Sequence, residues 1–342
     1  MTRRQRQQEQ LPAELNPHRL RRRALTVMAA LTALVLVALL APGLGEVREK
    51  LREASPGWIL LGVALELASC LSYALMFKPV FCGRMQWRLS GNIAFSELAV
   101  GSIVPASGAT GLVLGAWVLR RRGMAAERIA RRSVAFFLIK SSANFVAVAV
   151  VGTLMALGVG PHFSLALTAL PAALSTLTIV LVLALPRLLS GDKPGPAASR
   201  VARARRAVRR WLTGGTAEAV SIVKTGNLLV IGGSIGYWAF DNAVLWAMFR
   251  ALGESPPDTV ILIGYLIGQL GGLLPIPGGI GGIDGGLLGT LVVYGTPVAA
   301  TAAAILAYRL ILFWTPLLAG APAFVWLWRE LRQDPEGAAA VP

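Results

Sequence analysis

Five charged residues stand inside stretches that are otherwise apolar: Glu66, Lys140, Asp241, Asp284 and Arg309. A charge removed from water is costly, so such residues face a cavity or a partner of opposite sign. Glu66 and Asp241 each fall in one apolar run and Lys140 and Arg309 in a later one, so the order acid then cation occurs twice. Two arrangements suit that order. Either the five line a polar groove in which Lys140 and Arg309 attract phosphate, or they form one or two ion pairs that lock helices together. Asp284 has a distinctive setting, shortly after Pro275-Ile276-Pro277-Gly278-Gly279. Pro275 and Pro277 remove backbone donors and break a helix there. A half-helix beginning near Gly281 would put Asp284 in its first turn, where exposed N–H groups hold anions. Gly278, Gly282 and Gly286 recur every four residues, as do Gly264, Gly268 and Gly272. That spacing lets helices approach closely in lipid, and packing is the plainer role for most of them.

Nothing in the chain assembles a catalytic centre. The two histidines, His18 and His162, make no metal-ligand spacing, and Cys70 and Cys82 are too far apart along one helix to bridge. No nucleophile has a base beside it, and no glycine-rich loop suits a nucleotide. The expectation is therefore a protein that is not an enzyme, with no catalytic residues, no metal and no cofactor.

The elements that must position these charges are membrane spans. Of 342 residues, 55% are hydrophobic and 15% charged, and the mean hydropathy is +0.63. A soluble domain would not cover that much apolar surface with so few charges. The net charge of +16 lies mostly in loops between apolar runs, which argues for membrane topology and against nucleic-acid binding. Full spans are expected at 24–42, 58–81, 133–157, 163–186, 226–248 and 297–328, the last tilting or breaking near Pro316. Two stretches differ. Residues 90–119 are broken around Pro105 and Gly108 and have arginines on both flanks; 259–296 is broken at Pro275–Gly279 and has nearly uncharged flanks. If cations stay inside, the first enters and leaves from the cytoplasm and the second from outside. The expected fold is an all-α polytopic membrane protein with about six full spans and two re-entrant segments. Its halves, 24–160 and 161–332, then form an inverted-topology repeat between a basic arm (1–23) and a short tail (333–342). Glu97 is expected near the cytoplasmic arm, in contact with water.

The loop 187–213 is basic and amphipathic. Arg203, Arg205, Arg206, Arg209 and Arg210 alternate with Val201, Ala204, Val208, Trp211 and Leu212. It suits a helix lying on an anionic leaflet, or equally a positive-inside loop without lipid preference.

The run Leu273-Leu274-Pro275-Ile276-Pro277-Gly278-Gly279-Ile280-Gly281-Gly282-Ile283-Asp284-Gly285-Gly286-Leu287 carries a resemblance. Together with Tyr294-Gly295-Thr296-Pro297 and Tyr308-Arg309, it resembles the lysylphosphatidylglycerol synthase transmembrane-region family over about residues 20–332. The resemblance implies a bacterial flippase-like protein that moves phospholipids or lipid-linked molecules between leaflets, with Asp284 and Arg309 at its site. It implies a multi-pass protein of the cytoplasmic (inner) membrane, and the excess of cations in the loops assigned to the inside puts both termini there as well. Its partners would be anionic phospholipids or a lipid-linked substrate, with a second copy or a lipid-synthesising protein left open. Well-known members join this module to a soluble domain that attaches lysine to phosphatidylglycerol, and the sequence to Pro342 contains no such domain. Two departures stand out. The family often has an acid and an arginine after the first break, and residues 105–112 have neither; the acid after the second break is often Glu, and here it is Asp284. The rival readings are a lipid-binding accessory protein that transports nothing and a membrane-embedded lipid-modifying enzyme.

Overall fold

The computed structural model describes residues 45–103, 109–161, 163–188, 200–270 and 282–333, with Arg22, Leu25, Thr26, Met28 and Ala29. Almost all of the first expected span therefore lies outside the described residues, as do Pro105, Gly108, Pro275, Pro277, Gly278 and Gly279. The described residues form eleven helices and no strand. They are α1 (Gly45–Arg52), α2 (Pro56–Phe81), α3 (Trp87–Ile103), α4 (Ala109–Arg121), α5 (Ala126–Ala156), α6 (Leu165–Leu188), α7 (Arg200–Lys224), α8 (Leu228–Ala251), α9 (Asp258–Leu270), α10 (Gly282–Val293) and α11 (Val298–Gln333). Five of them, α2, α5, α6, α8 and α11, are long and apolar enough to cross a membrane. A polytopic all-α membrane protein is what the apolar runs required.

Local sequence sets the boundaries. Pro56 opens α2, where its missing N–H deprives no helical bond. Asn227 caps α8 by accepting a hydrogen bond from the Leu229 amide at 2.9 Å. Gly253 (φ 72°) and Gly295 (φ 94°) take the left-handed turn just beyond α8 and α10, which side chains resist. Of the tilt or break expected near Pro316, the break does not occur: α11 runs unbroken through Pro316 and Pro322. Each proline deletes one backbone donor, and packing in a membrane bundle tolerates that loss.

The helices occur in the same order twice. A long helix, two short ones and a long one (α2 to α5; 26, 17, 13 and 31 residues) are followed by the same series (α8 to α11; 24, 13, 12 and 36 residues). The two first members pack antiparallel at the centre. Gly62 meets Met248, Ser69 Oγ donates to the Tyr237 carbonyl at 2.9 Å, and Gly233 meets Ser72 and Met76. A Cβ on Gly233 would lie 2.8 Å from Met76 Cβ, so this contact needs glycine. Within the short pairs the small residues do the same. Gly268 of α9 backs onto Leu287 of α10, and Gly111 of α4 onto the Glu97 carbonyl of α3.

The two ends of the bundle differ in charge. At one end Lys50 pairs with Glu254 at 2.5 Å, and the Ser55 amide donates to the Ala251 carbonyl. The Glu254 carboxylate holds the Lys50 ammonium above its ordinary pKa. At the other end Arg122 pairs with Glu330 (2.6 Å), Arg132 with Glu218 (2.5 Å), and Arg88 lies over the Trp326 ring. The basic segment lies in a helix, Arg200–Lys224, that runs on beyond residue 213. The reason lies in its second half, where Gly215 presses on Val134 and Glu218 reaches Arg132, fastening α7 to α5.

Candidate functional site

Asp284 lies in the first turn of α10, and Arg309 lies in α11 beside it. Arg309 Nε donates to Asp284 Oδ1, forming the ion pair that their order along the chain suggested. Both side chains keep some exposure, 18% for Arg309 and 23% for Asp284. Arg309 Nη2, however, is buried and has no partner among the described residues. Such a donor normally finds an acceptor, so the pair leaves one side of the guanidinium open to an anionic oxygen.

The network continues into α8. Asp241 accepts hydrogen bonds from Tyr265 of α9 and, at 3.1 Å, from Tyr308 of α11, and Gln269 Nε2 reaches the Tyr308 hydroxyl at 3.4 Å. Arg309 is close enough to act on Asp241 electrostatically. Glu66 faces Asp241 from α2, because the register that sets Gly62 against Met248 and Ser69 against Tyr237 brings residues 66 and 241 opposite each other. Glu66 is 5% exposed; its Oε1 has Cys70 Sγ at 3.7 Å, and its Oε2 is buried without a partner. Four of the five charges singled out in the sequence, Glu66, Asp241, Asp284 and Arg309, thus meet where α2, α8, α10 and α11 converge.

Lys140 belongs to a second cluster. Its ammonium lies 5.5 Å from the Tyr237 ring centroid, 5.8 Å from Tyr73 and 5.9 Å from Phe137, an aromatic enclosure for a cation. The Tyr73 hydroxyl donates to Glu97 Oε2 at 2.7 Å, and the Glu97 charge acts on Lys140. The expectation that Glu97 is solvated fails: it is 2% exposed. Gly115 of α4 lies against its carboxylate, and a side chain there would displace it. The arginines flanking 90–119 suggest watery surroundings for Glu97, whereas α3 carries it inward.

The tyrosines were missed, and a spacing in the chain points to them. Tyr73 and Glu97 are 24 residues apart and hydrogen-bonded; Asp241 and Tyr265 are also 24 apart and hydrogen-bonded. The second pair follows the first after 168 residues with acid and tyrosine exchanged, and the same interval carries Lys140 onto Tyr308, next to Arg309. Four of the chain's five tyrosines, Tyr73, Tyr237, Tyr265 and Tyr308, are committed to the two clusters.

Arg203, Arg205, Arg206, Arg209 and Arg210 all lie in α7, away from these clusters. Val208, Trp211 and Leu212 are exposed at 47%, 38% and 38%, so apolar side chains accompany the arginines at the cation-rich end. That is the composition of a helix at a membrane surface. Changing Arg206, Arg209 and Arg210 together to Gln is expected to weaken retention on anionic vesicles by about 1 kcal/mol per residue. Vesicle co-sedimentation at fixed salt measures it, and unchanged retention would make α7 a structural strut alone. Among the described residues no three His, Cys, Asp or Glu side chains group as metal ligands.

The sequence profile of the family described as "Lysylphosphatidylglycerol synthase TM region" matches residues 25–320. A UPF0104 membrane protein of Methanothermobacter thermautotrophicus is 25% identical over 311 residues, covering 84% of this chain and 89% of that protein. A further match to a UPF0104 membrane protein of the same organism is 35% identical over 99 residues, 29% of this chain and 28% of that one.

Proposed function

Since the chain belongs to the lysylphosphatidylglycerol synthase TM region family, we propose that it moves phospholipids or lipid-linked molecules between the leaflets of the cytoplasmic membrane. The observation that carries this reading is the Arg309 guanidinium, paired on one side with Asp284 and holding a buried, unpartnered N–H on the other. A phosphate headgroup is the acceptor that a buried arginine fork suits best. The setting supports it. Asp284 begins a short helix after a Pro/Gly break, so a phosphate at Arg309 would also meet N–H groups at a helix start.

The repeated helix order supports an inverted repeat in which α3–α4 and α9–α10 are re-entrant pairs. The ends of α9 and α10 favour this. Glu254–Pro257 before α9 and Tyr294–Pro297 after α10 line one cavity of about 220 Å³, so the pair returns to the end from which it started. The cation-rich end would then face the cytoplasm, with both termini. No nucleotide-binding motif accompanies these helices, and the protein works as a transporter and not as an enzyme. The test is reconstitution of the purified chain into liposomes carrying fluorescent phosphatidylglycerol in the inner leaflet, with loss of fluorescence to an external quencher as readout. Rates above protein-free liposomes are expected. Binding of the lipid with no gain in rate would replace the proposal with the accessory, lipid-binding role.

A further inference from the structure

Glu66 has no cation paired with it among the described residues, and lipid movement at Arg309 gives it no task. Its position is nonetheless costly. An ionised carboxylate at 5% exposure, with one oxygen lacking a partner among the described residues, loses solvation that these residues do not restore. The surroundings add to the cost. Opposite it α8 presents Asp241 and Tyr237, α9 presents Tyr265 to the same carboxylate, and α11 contributes Tyr308 and Arg309. Glu97 and Lys140, from α3 and α5, lie beyond the Ser69–Tyr237 contact and are engaged with each other and with Tyr73. Among the described residues Asp241 and Asp284 share one cation, Arg309, which is already paired with Asp284, and none is placed at Glu66. Two carboxylates facing each other in such a place do not both ionise, so the pair keeps one proton.

We propose that Glu66 and Asp241 hold one exchangeable proton between them, and that its uptake on one side of the membrane and release on the other drives the lipid movement inferred above. The step changes only an O–H bond: a proton from water joins a carboxylate oxygen and later returns to water. Coupling follows from Arg309. A phosphate that binds the guanidinium offsets the charge that had stabilised Asp241 as an anion, so the proton binds more tightly when lipid is present and leaves when lipid does. This inference rests on the proposed lipid movement, but the proton site has its own readout.

Two measurements on the full chain separate the ideas. In liposomes containing phosphatidylglycerol, with the membrane potential clamped, a pH gradient of one unit is expected to bias fluorescent-lipid movement by up to about tenfold along the gradient. Glu66→Gln, which fixes the uncharged form, should abolish that bias. In the absence of transport, infrared difference spectra should show the C=O stretch of a protonated carboxyl that titrates with pH, disappears in E66Q and shifts in D241N. Lipid movement indifferent to the pH gradient, or driven by a sodium gradient instead, overturns the proposal, as does a carboxyl band unchanged in E66Q. If no lipid moves under any condition, the proposed function fails while the band still decides whether the proton site exists.

Discussion

Arg309→Gln and Asp284→Asn should each stop lipid movement while leaving a folded protein. The two reasons are distinct. Among the described residues Arg309 is the only cation of its cluster and its Nη2 is unpartnered, and that Nη2 is the donor assigned to the headgroup; glutamine keeps part of the shape but none of the charge. Asp284 holds that guanidinium by its Nε, so asparagine loosens the fork that must present Nη2. Removing one member of a fully buried pair costs about 3–5 kcal/mol. Here both members keep some exposure, and Asp241 stands near enough to share the charge of Arg309, so the loss should fall below that range. The double variant R309Q/D284N separates structure from function. Its stability should recover toward wild type, since Asp241, left without a cation, keeps its hydrogen bonds from Tyr265 and Tyr308, while lipid movement stays absent. A double-mutant cycle scored for thermal unfolding and for transport in liposomes measures both. Normal transport by the double variant would make the pair a lock between α10 and α11 and nothing more.

What the chain discloses before folding is its set of expensive groups. Charges in apolar runs are conspicuous because membranes penalise them, and Asp284 with Arg309 carries the added signal of a Pro/Gly break followed by a cation. The partners of the other three were harder to read. Tyr265 and Tyr308 satisfy Asp241, yet tyrosine suits core packing and the membrane interface equally well, so its presence alone points nowhere. Glu97 shows the limit of counting charges along a chain. Loop arginines report which side a segment starts from, but not how deep Glu97, nine positions after Arg88, is carried by α3. The central contact is written in small residues, Gly62, Ser69, Ser72, Gly233 and Gly236, but their register becomes readable only once α2 and α8 are known to run antiparallel. The repeat was legible as a helix order. Its chemical counterpart, a tyrosine–acid pair at 24 residues that recurs with roles exchanged, stays hidden to any search for identical residues because the exchange removes the identity.

That exchange predicts how the second cluster behaves when it is cut. Lys140→Met should destabilise the protein by about 3–5 kcal/mol, the larger loss of the two clusters. At the Arg309 site both members keep some exposure, and Asp241 stays near the guanidinium when Asp284 is gone. Around Lys140 the only carboxylate brought close is Glu97, which is 2% exposed and has one oxygen without a partner even with the lysine present. Removing the ammonium leaves that anion with the Tyr73 hydroxyl as its donor and three rings nearby whose electron-rich faces suit a cation, not an anion. Adding Glu97→Gln should restore most of the stability, because the amide still accepts from Tyr73 and asks for no counter-charge. Tyr73→Phe in the wild-type background should cost less, about 1–3 kcal/mol, since it unmakes one hydrogen bond to the carboxylate without removing the cation. Thermal unfolding in detergent, run on the three variants beside wild type, orders these effects. An unchanged melting point for K140M would mean that water reaches Glu97 and that the aromatic enclosure contributes nothing to holding α3 against α5.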